Sequence, residues 1–479
     1  MHSIPSVAGR RSLFVLALSF ALLHPGPGRA QTTQTGLPGD VKATASSLHK
    51  DALAGTRAFD IVRSLTVEVG PRPAGSKAHD AAVVWGVGKM KELGFSNVRA
   101  EKVTVPHWER GLESGEIVAP WPQPVHLAAL GGSVGTPGDG IEAQVIEVPS
   151  LDAVDKLDPA QVKGKIVFYS GRMERAKDGS GYGKAVGVRG AGASRAAKLG
   201  AVAVLIRSIG TDNNRTPHTG AMRYQDGIEK IPAAALSNPD ADLLAAQVAS
   251  GKPVTFRLKL GARTLPDVEQ ASVVGDIPGR EKPEEIVLLG CHLDSWDLGT
   301  GAIDDGAGCA IMMEAARRIG QLPKKPRRTV RVVLFANEEF GLSGARAYAE
   351  AHKDELARHV MAGESDFGSG QVWRIASRVD PAKLPIVADL AKLLGIEPGD
   401  NETGGGADLS PMAPARVPLI ALAQDGTTYF DYHHTANDTL DKIDPKDLDQ
   451  NVASWAAVAY AIAEMPGDLG RAPEAAARE

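Results

Sequence analysis

Residues 291–308 read C-H-L-D-S-W-D-L-G-T-G-A-I-D-D-G-A-G, and the reading of this stretch decides the rest. His292 and Asp294 stand two residues apart, a glycine-rich turn follows, and the acidic pair Asp304 and Asp305 closes it. Just before it, residues 285–290 (E-I-V-L-L-G) form a short apolar run of the kind that makes a buried strand. Just after it, residues 307–319 are rich in Ala and Met at helical spacing. The polar cluster is therefore expected at the carboxyl end of a strand, ahead of a helix, where open α/β sheets bind ligands.

Imidazole and carboxylate are ordinary ligands for zinc. An Asp two residues beyond a His can accept the proton of its second ring nitrogen and fix the tautomer, so Asp294 is assigned to orient His292. Alone, a His-x-Asp pair reads more readily as a satisfied turn; its partners lie further along the chain. The strand expected over 331–336 runs into Asn337-Glu338-Glu339. Residues 359–362 run toward Glu364-Ser365-Asp366, and Tyr432-His433-His434-Thr435 falls in a loop with Asp438 four residues after His434.

In a parallel sheet such strand ends share one edge, so these groups can converge. The expectation is a two-metal site, one ion held by His292 and Asp366, the other by Glu339 and His434. Asp304 uses one oxygen on each, and a bridging water completes both shells. Nitrogen and oxygen donors without Cys favour zinc, two Zn2+ per chain, with manganese or cobalt also compatible. Paired ions about 3.5–4 Å apart lower the pKa of a shared water and polarise a carbonyl. Glu338, next to a ligand, is the expected general base, taking the proton of that water and passing it to the leaving amine.

Other residues carry two readings each. His433 either donates a hydrogen bond to the oxyanion or is an exposed loop imidazole. Asp438 either supports the site or caps the following turn. Glu364 shares a strand face with Asp366 and either holds a substrate ammonium or is a structural acid. His218 and Arg223 either cover the site and bind a terminal carboxylate or are exposed loop residues.

The 479-residue chain has length for more than one domain. Its net charge of -5, with both signs interspersed, points away from a nucleic-acid surface. Arg10 and Arg11, the apolar core 13–23 and Gly28-Arg29-Ala30 read as a signal peptide over residues 1–30. The mature chain is expected to be secreted or periplasmic and to have no membrane span. The only cysteines, Cys291 and Cys309, are expected to be buried free thiols.

Residues 31–50 read as polar and mobile, 51–65 and 77–93 as helices, and 98–105 as a strand. From 111 to 265 the strands are short and Gly and Pro frequent, which reads as an inserted domain. From 271 a strand–helix rhythm resumes: strands over 329–336, 359–364 and 418–423, and helices over 342–352, 384–394 and 448–464. This predicts an α/β/α three-layer fold with a mostly parallel central sheet. The catalytic part would be discontinuous, residues 31–110 and 266–479.

H-L-D-S-W-D, A-I-D-D-G-A-G, N-E-E-F-G, E-S-D and H-H-T-A-N-D-T together resemble the dizinc aminopeptidase family. The likeness is to its carboxypeptidase Q (plasma glutamate carboxypeptidase) branch, and it extends to P-H-W-E-R-G at 106–111, P-H-T-G at 217–220 and Y-Q-D-G at 224–227. The resemblance implies a zinc-exopeptidase fold, a protease-associated domain as the insertion, and a cis bond between Asp304 and Asp305. It assigns the same five ligands and the same base, and implies secreted homodimers acting on dipeptides or short peptides. Ala307 departs from the glycine frequent there in relatives. The alternatives are an aminopeptidase trimming longer peptides, a non-catalytic binding protein, and a one-zinc cyclising acyltransferase like the glutaminyl cyclases. With every ligand position and the base filled, the peptidase reading leads.

Overall fold

A computed structural model provides the architecture and describes residues 36–474. The signal segment expected over 1–30 lies outside the described residues. Strand Lys282–His292 shows why the central run is apolar on every residue. Val287, Leu289 and Cys291 join Val330, Val332 and Leu334 in one core, while Ile286 and Leu288 join Val333 and Phe335 in another. Alternate side chains point to opposite faces, and both faces are covered, so no polar alternation survives. Helices Ala307–Gly320 and Pro445–Glu464 belong to the first face. Helix Ser343–Ala351 covers the second through Ala345 and Tyr348.

The sheet runs, edge to edge, Ser96–Glu109, Arg263–Ile277, Arg328–Phe335, Lys282–His292, His359–Glu364, Leu419–Gln424, Val372–Arg378, Glu397–Pro398. Its centre is parallel: Lys282–His292 pairs in parallel with both neighbours, and His359–Glu364 with Leu419–Gln424. The antiparallel pairings lie toward the edges. This is the expected three-layer α/β/α arrangement.

The chain leaves this sheet at Glu109 and rejoins it at Arg263, two residues paired across the ladder. The intervening chain builds a second eight-stranded sheet, with strands from Glu113–Ala119 to Thr255–Leu260. Trp108 and Trp296 pack into the core of that second sheet, so the two sheets share an apolar seam.

The N-terminal reading needs correction. Residues 39–53, expected to be mobile over most of their length, form helix Gly39–Leu53, and the helix expected over 51–65 is instead Ala58–Glu68. Val41, Ala45, Leu48 and Ala52 form a buried stripe at helical spacing. Each Val or Leu so removed from water contributes roughly 1.5–3 kcal/mol, which docks the helix despite its polar remainder. Strand Val372–Arg378 was not foreseen.

Candidate metal centre

Four strand ends meet at one edge of the sheet. His292 ends Lys282–His292, Glu338 and Glu339 follow Arg328–Phe335, Asp366 follows His359–Glu364, and the 433–434 pair follows Leu419–Gln424. These four strands pair in parallel in succession, Arg328–Phe335 with Lys282–His292, that strand with His359–Glu364, and that in turn with Leu419–Gln424, which brings the carboxyl ends together. Asp304 comes from the turn leading into helix Ala307–Gly320, where the Asp304–Asp305 peptide bond is cis.

The geometry centres on Asp304. Its Oδ1 lies 3.1 Å from His292 Nε2, and Asp366 Oδ1 lies 3.3 Å from that same nitrogen. Its Oδ2 lies 3.3 Å from His434 Nε2, which is 3.1 Å from Glu339 Oε2. Asp304 thus faces two imidazole–carboxylate pairs, one on each oxygen. Asp304 Oδ2 and Glu339 Oε1 are buried without a hydrogen-bond donor. Burial and neighbouring acids, Asp366 and Glu339 among them, push Glu338 well above the usual carboxyl range. Burial by itself pulls His292 and His434 down, yet the facing carboxylates hold both well above the usual imidazole range. Buried like charges with unsatisfied oxygens are what a bound cation relieves.

A surrounding shell fixes these groups. His292 Nδ1 lies 3.0 Å from the main-chain carbonyl of Asp294, and 3.8 Å from the Asp294 carboxylate. The expected carboxylate–imidazole contact is therefore corrected: the carbonyl orients the ring. The Asp294 carboxylate instead accepts from the backbone N–H of Glu338 (3.0 Å) and Glu339 (3.3 Å), which places both glutamates. Asp438 accepts from the N–H of Ile303 (2.6 Å) and Asp304 (3.3 Å), and burial together with the Asp304 charge pushes its carboxyl up to about 7. Asp305 accepts from the N–H of His292 and Gly308. Gly308 is required by space: a Cβ there would lie 2.0 Å from the carbonyl of Ser365. The thiols of Cys291 and Cys309 are free and buried, and Cys309 donates to the carbonyl of His292.

The profile of peptidase family M28 matches residues 272–459, which span all of these side chains. Carboxypeptidase Q of Homo sapiens is 36% identical over 436 residues, 90% of this chain and 91% of that protein. The chain belongs to peptidase family M28. Its likeness to carboxypeptidase Q and the convergent ligand-type groups make it a metallo-exopeptidase. A crystal structure of a peptidase M28 precursor from Shewanella amazonensis shares 46% identity with this M28 peptidase, with a TM-score of 0.89 over 91% of this chain and 99% of that one. BSAP, described as a zinc aminopeptidase from Bacillus subtilis, shares the fold at 21% identity, covering 84% of this chain and 93% of its own, with a TM-score of 0.60.

In this M28 peptidase a cavity of about 460 Å³ opens over the cluster. Glu338, Asp304, Asp366 and His434 line one wall, and Tyr182, Arg189 and Arg223 from the second sheet's segment line the other. His433 also lines it, buried and stacked on His434 at 3.5 Å, so the exposed-loop reading of His433 is set aside. Two expected substrate contacts do not reach the cavity. His218 is buried, with Nε2 2.6 Å from Asp212. Glu364 is buried and accepts from the N–H of Asp408, and burial together with Asp366 pushes it up to about 8. Both belong to the supporting structure. Arg223 is exposed at the cavity wall.

Three residues that sequence reasoning missed matter here. The Trp296 indole donates to Glu339 Oε2 at 2.5 Å, and Trp296 stood within the opening stretch as a plain aromatic. Arg72 is fully buried and donates to the carbonyls of Leu293, Thr300 and Gly301, bracing the turn before Asp304. Arg189 had no distinguishing neighbour in sequence.

Proposed function

We propose that this M28 peptidase is an exported dizinc exopeptidase that hydrolyses dipeptides or short peptides, with Glu338 as general base. The observation that carries the reading is Asp304, whose two oxygens approach the imidazoles of His292 and His434 on opposite sides. His292 and Asp366 would hold one ion, Glu339 and His434 the other, and Asp304 would bridge. Two imidazoles and three carboxylates, none replaced by thiolate, suit zinc. When bound, the ions supply Lewis acidity, which makes a water nucleophilic near neutral pH and polarises the amide carbonyl.

The protein's own groups do the rest. Glu338 stands at the cavity wall beside Glu339, suited to take a proton from the attacking water and return it to the leaving nitrogen. Asp294, by holding two successive N–H groups, sets the angle between base and ligand. Burial and the adjacent His434 hold His433 well below the usual imidazole range. As a neutral donor it suits the oxyanion better than a free-loop side chain would. The cavity volume matches a short peptide. Export rests on the residues 1–30 signal, and a homodimer on the family resemblance; sedimentation of the purified mature chain tests the latter.

The deciding experiment combines metal analysis with Glu338→Gln. Two zinc ions per chain are expected in both proteins, with turnover of short peptides lowered about 10²–10⁴-fold in the variant. One zinc per chain, or near-normal turnover by Glu338→Gln, overturns the assignment.

A further inference from the structure

Behind the metal centre, on the side away from the cavity, lies a second group of ligand-type atoms. The Sγ atoms of Cys291 and Cys309 and a carboxylate oxygen of Asp305 all lie within 4.8 Å of one another. All three residues are fully buried, and both thiols are free. The chain has no other cysteine, so the fold brings its only two thiols together. Cys291 stands next to last in strand Lys282–His292, Cys309 in the first turn of helix Ala307–Gly320, and Asp305 in the turn between them. Three donors bound to one ion at about 2.3 Å, a metal–thiolate bond length, stand about 4 Å apart in a trigonal plane. The observed spacing admits that arrangement. Thiolate sulfur selects soft cations, and charge selects the valence. Each thiol loses its proton to solvent as its bond to the ion forms. Two protons out and one divalent ion in leave the buried charge unchanged. A monovalent ion would add a negative charge beside the acids of the metal centre, a costly change away from water.

We propose that Cys291, Cys309 and Asp305 form a site for one soft divalent cation of the mercuric type, and that filling it switches off the catalytic centre. Zinc is a poor occupant, because a structural zinc takes four donors and three side chains converge here. The link to catalysis is the peptide of His292. The Cys309 thiol donates to the His292 carbonyl at 3.1 Å, and Asp305 accepts from the His292 N–H at 3.1 Å. Asp305 also accepts from the N–H of Gly308 at 3.0 Å. Ligation removes the thiol proton, so the bond to the carbonyl is lost. It also draws the Asp305 carboxylate toward the ion and away from both N–H groups. His292 and Asp304, direct neighbours of Cys291 and Asp305 in the chain, lose the grip that aligns them with each other. Because the site is fully buried, an ion reaches it when the start of helix Ala307–Gly320 opens locally, so filling is slow.

The probe is mercuric chloride, added in small excess to the zinc-loaded enzyme and followed by native mass spectrometry and by turnover of alanyl-leucine. Both chlorides and two thiol protons leave as the two Hg–S bonds form. One mercury per chain is expected to survive desalting, with turnover falling slowly by about 10–100-fold, the scale of disturbing a group that holds a metal ligand. Dithiothreitol with added zinc should restore it. The double variant Cys291→Ala, Cys309→Ala should retain no mercury, and its turnover should not change on addition. Cys309→Ala alone should hold mercury through one sulfur and release it to mercaptoethanol about 10²-fold faster than wild type, because the second, intramolecular bond is gone. Two mercury ions per chain, retention by the double variant, or equally slow release from Cys309→Ala overturns the shared site. One bound ion with full turnover overturns its link to catalysis. Should the double variant fail to fold, the single variant decides. The mass measurement stands apart from the exopeptidase reading: an enzyme that cleaves no peptide counts against that reading, while the mercury count still decides the site.

Discussion

Asp294 illustrates how one carboxylate can serve a site without touching the reacting atoms. It accepts two consecutive N–H groups, those of Glu338 and Glu339, just after Asn337, which holds a left-handed φ of 59°. Asn is among the non-glycine residues that adopt this conformation most readily, so the turn suits the residue found there. Asp294→Asn keeps the shape but leaves one acceptor for two donors. Its kcat is expected to fall about 10–100-fold, with weaker metal retention; unchanged kinetics and metal content would remove the positioning role. Gly308→Ala drives a methyl into the carbonyl of Ser365 and the carboxylate of Asp305. A loss of about 1–3 kcal/mol in denaturant unfolding is expected, accompanied by reduced zinc content because Asp304 shifts with the turn.

Helix Ser343–Ala351 is tied to the sheet by a charged knot at its end. His352 Nε2 lies 2.9 Å from Glu101 on strand Ser96–Glu109, its other nitrogen bonds Glu355, and its ring stacks on Tyr348 at 4.1 Å. Burial pulls the imidazole down, but hydrogen bonds to Glu101 and Glu355 outweigh it and raise His352 to about 8 from 6.5. A raised pKa means the stabilisation is complete below about pH 6.5 and is lost as pH climbs through 8. The hydrogen bond to His352 holds Glu355 down to about 2, so its share is present above 4.5 and is lost as pH falls through 2. With solvent screening allowed for, the His352 contribution is about 1 kcal/mol. Urea unfolding at pH 6 and pH 9 should show wild type losing that amount relative to His352→Gln; parallel pH profiles would refute the link.

Across the whole molecule, the metal centre is the place where the main sheet's strand ends meet the segment bearing the second sheet. Arg110, immediately after strand Ser96–Glu109, forks onto Asp297, and Arg175 bonds Asp431 and the carbonyls of Thr211 and Thr427. Removing zinc with a chelator leaves Asp304, Glu338, Glu339 and Asp366 crowded, with only the imidazoles of His292 and His434 facing them. A ligand that binds only the folded state stabilises it by about 2.7 kcal/mol at a hundred times its Kd. Chelation should therefore lower Tm by a few degrees and abolish turnover, and added zinc should restore both. An unchanged melt would mean the cage holds no ion in solution. Arg175→Ala should lower stability by at most about 1 kcal/mol in urea unfolding, since its ion pair with Asp431 is exposed.

The strand–helix rhythm from residue 271 onward, and the acids and histidines at each strand end, were legible in sequence. Both are written in short windows: an apolar run sets a strand, and the residue following it falls at the sheet's carboxyl edge whatever lies elsewhere. The helix at 39–53 was misread because its four buried residues are diluted among polar ones, and only docking showed which face mattered. The tertiary structure alone decided that Asp294 grips the 338–339 turn, that His218 and Glu364 sit behind the cavity, and that Arg189 sits in it. Arg189 meets His434 across 245 residues of chain. Whether a charge finds a counter-ion depends on which surfaces close around it, and no pattern along the chain encodes that meeting.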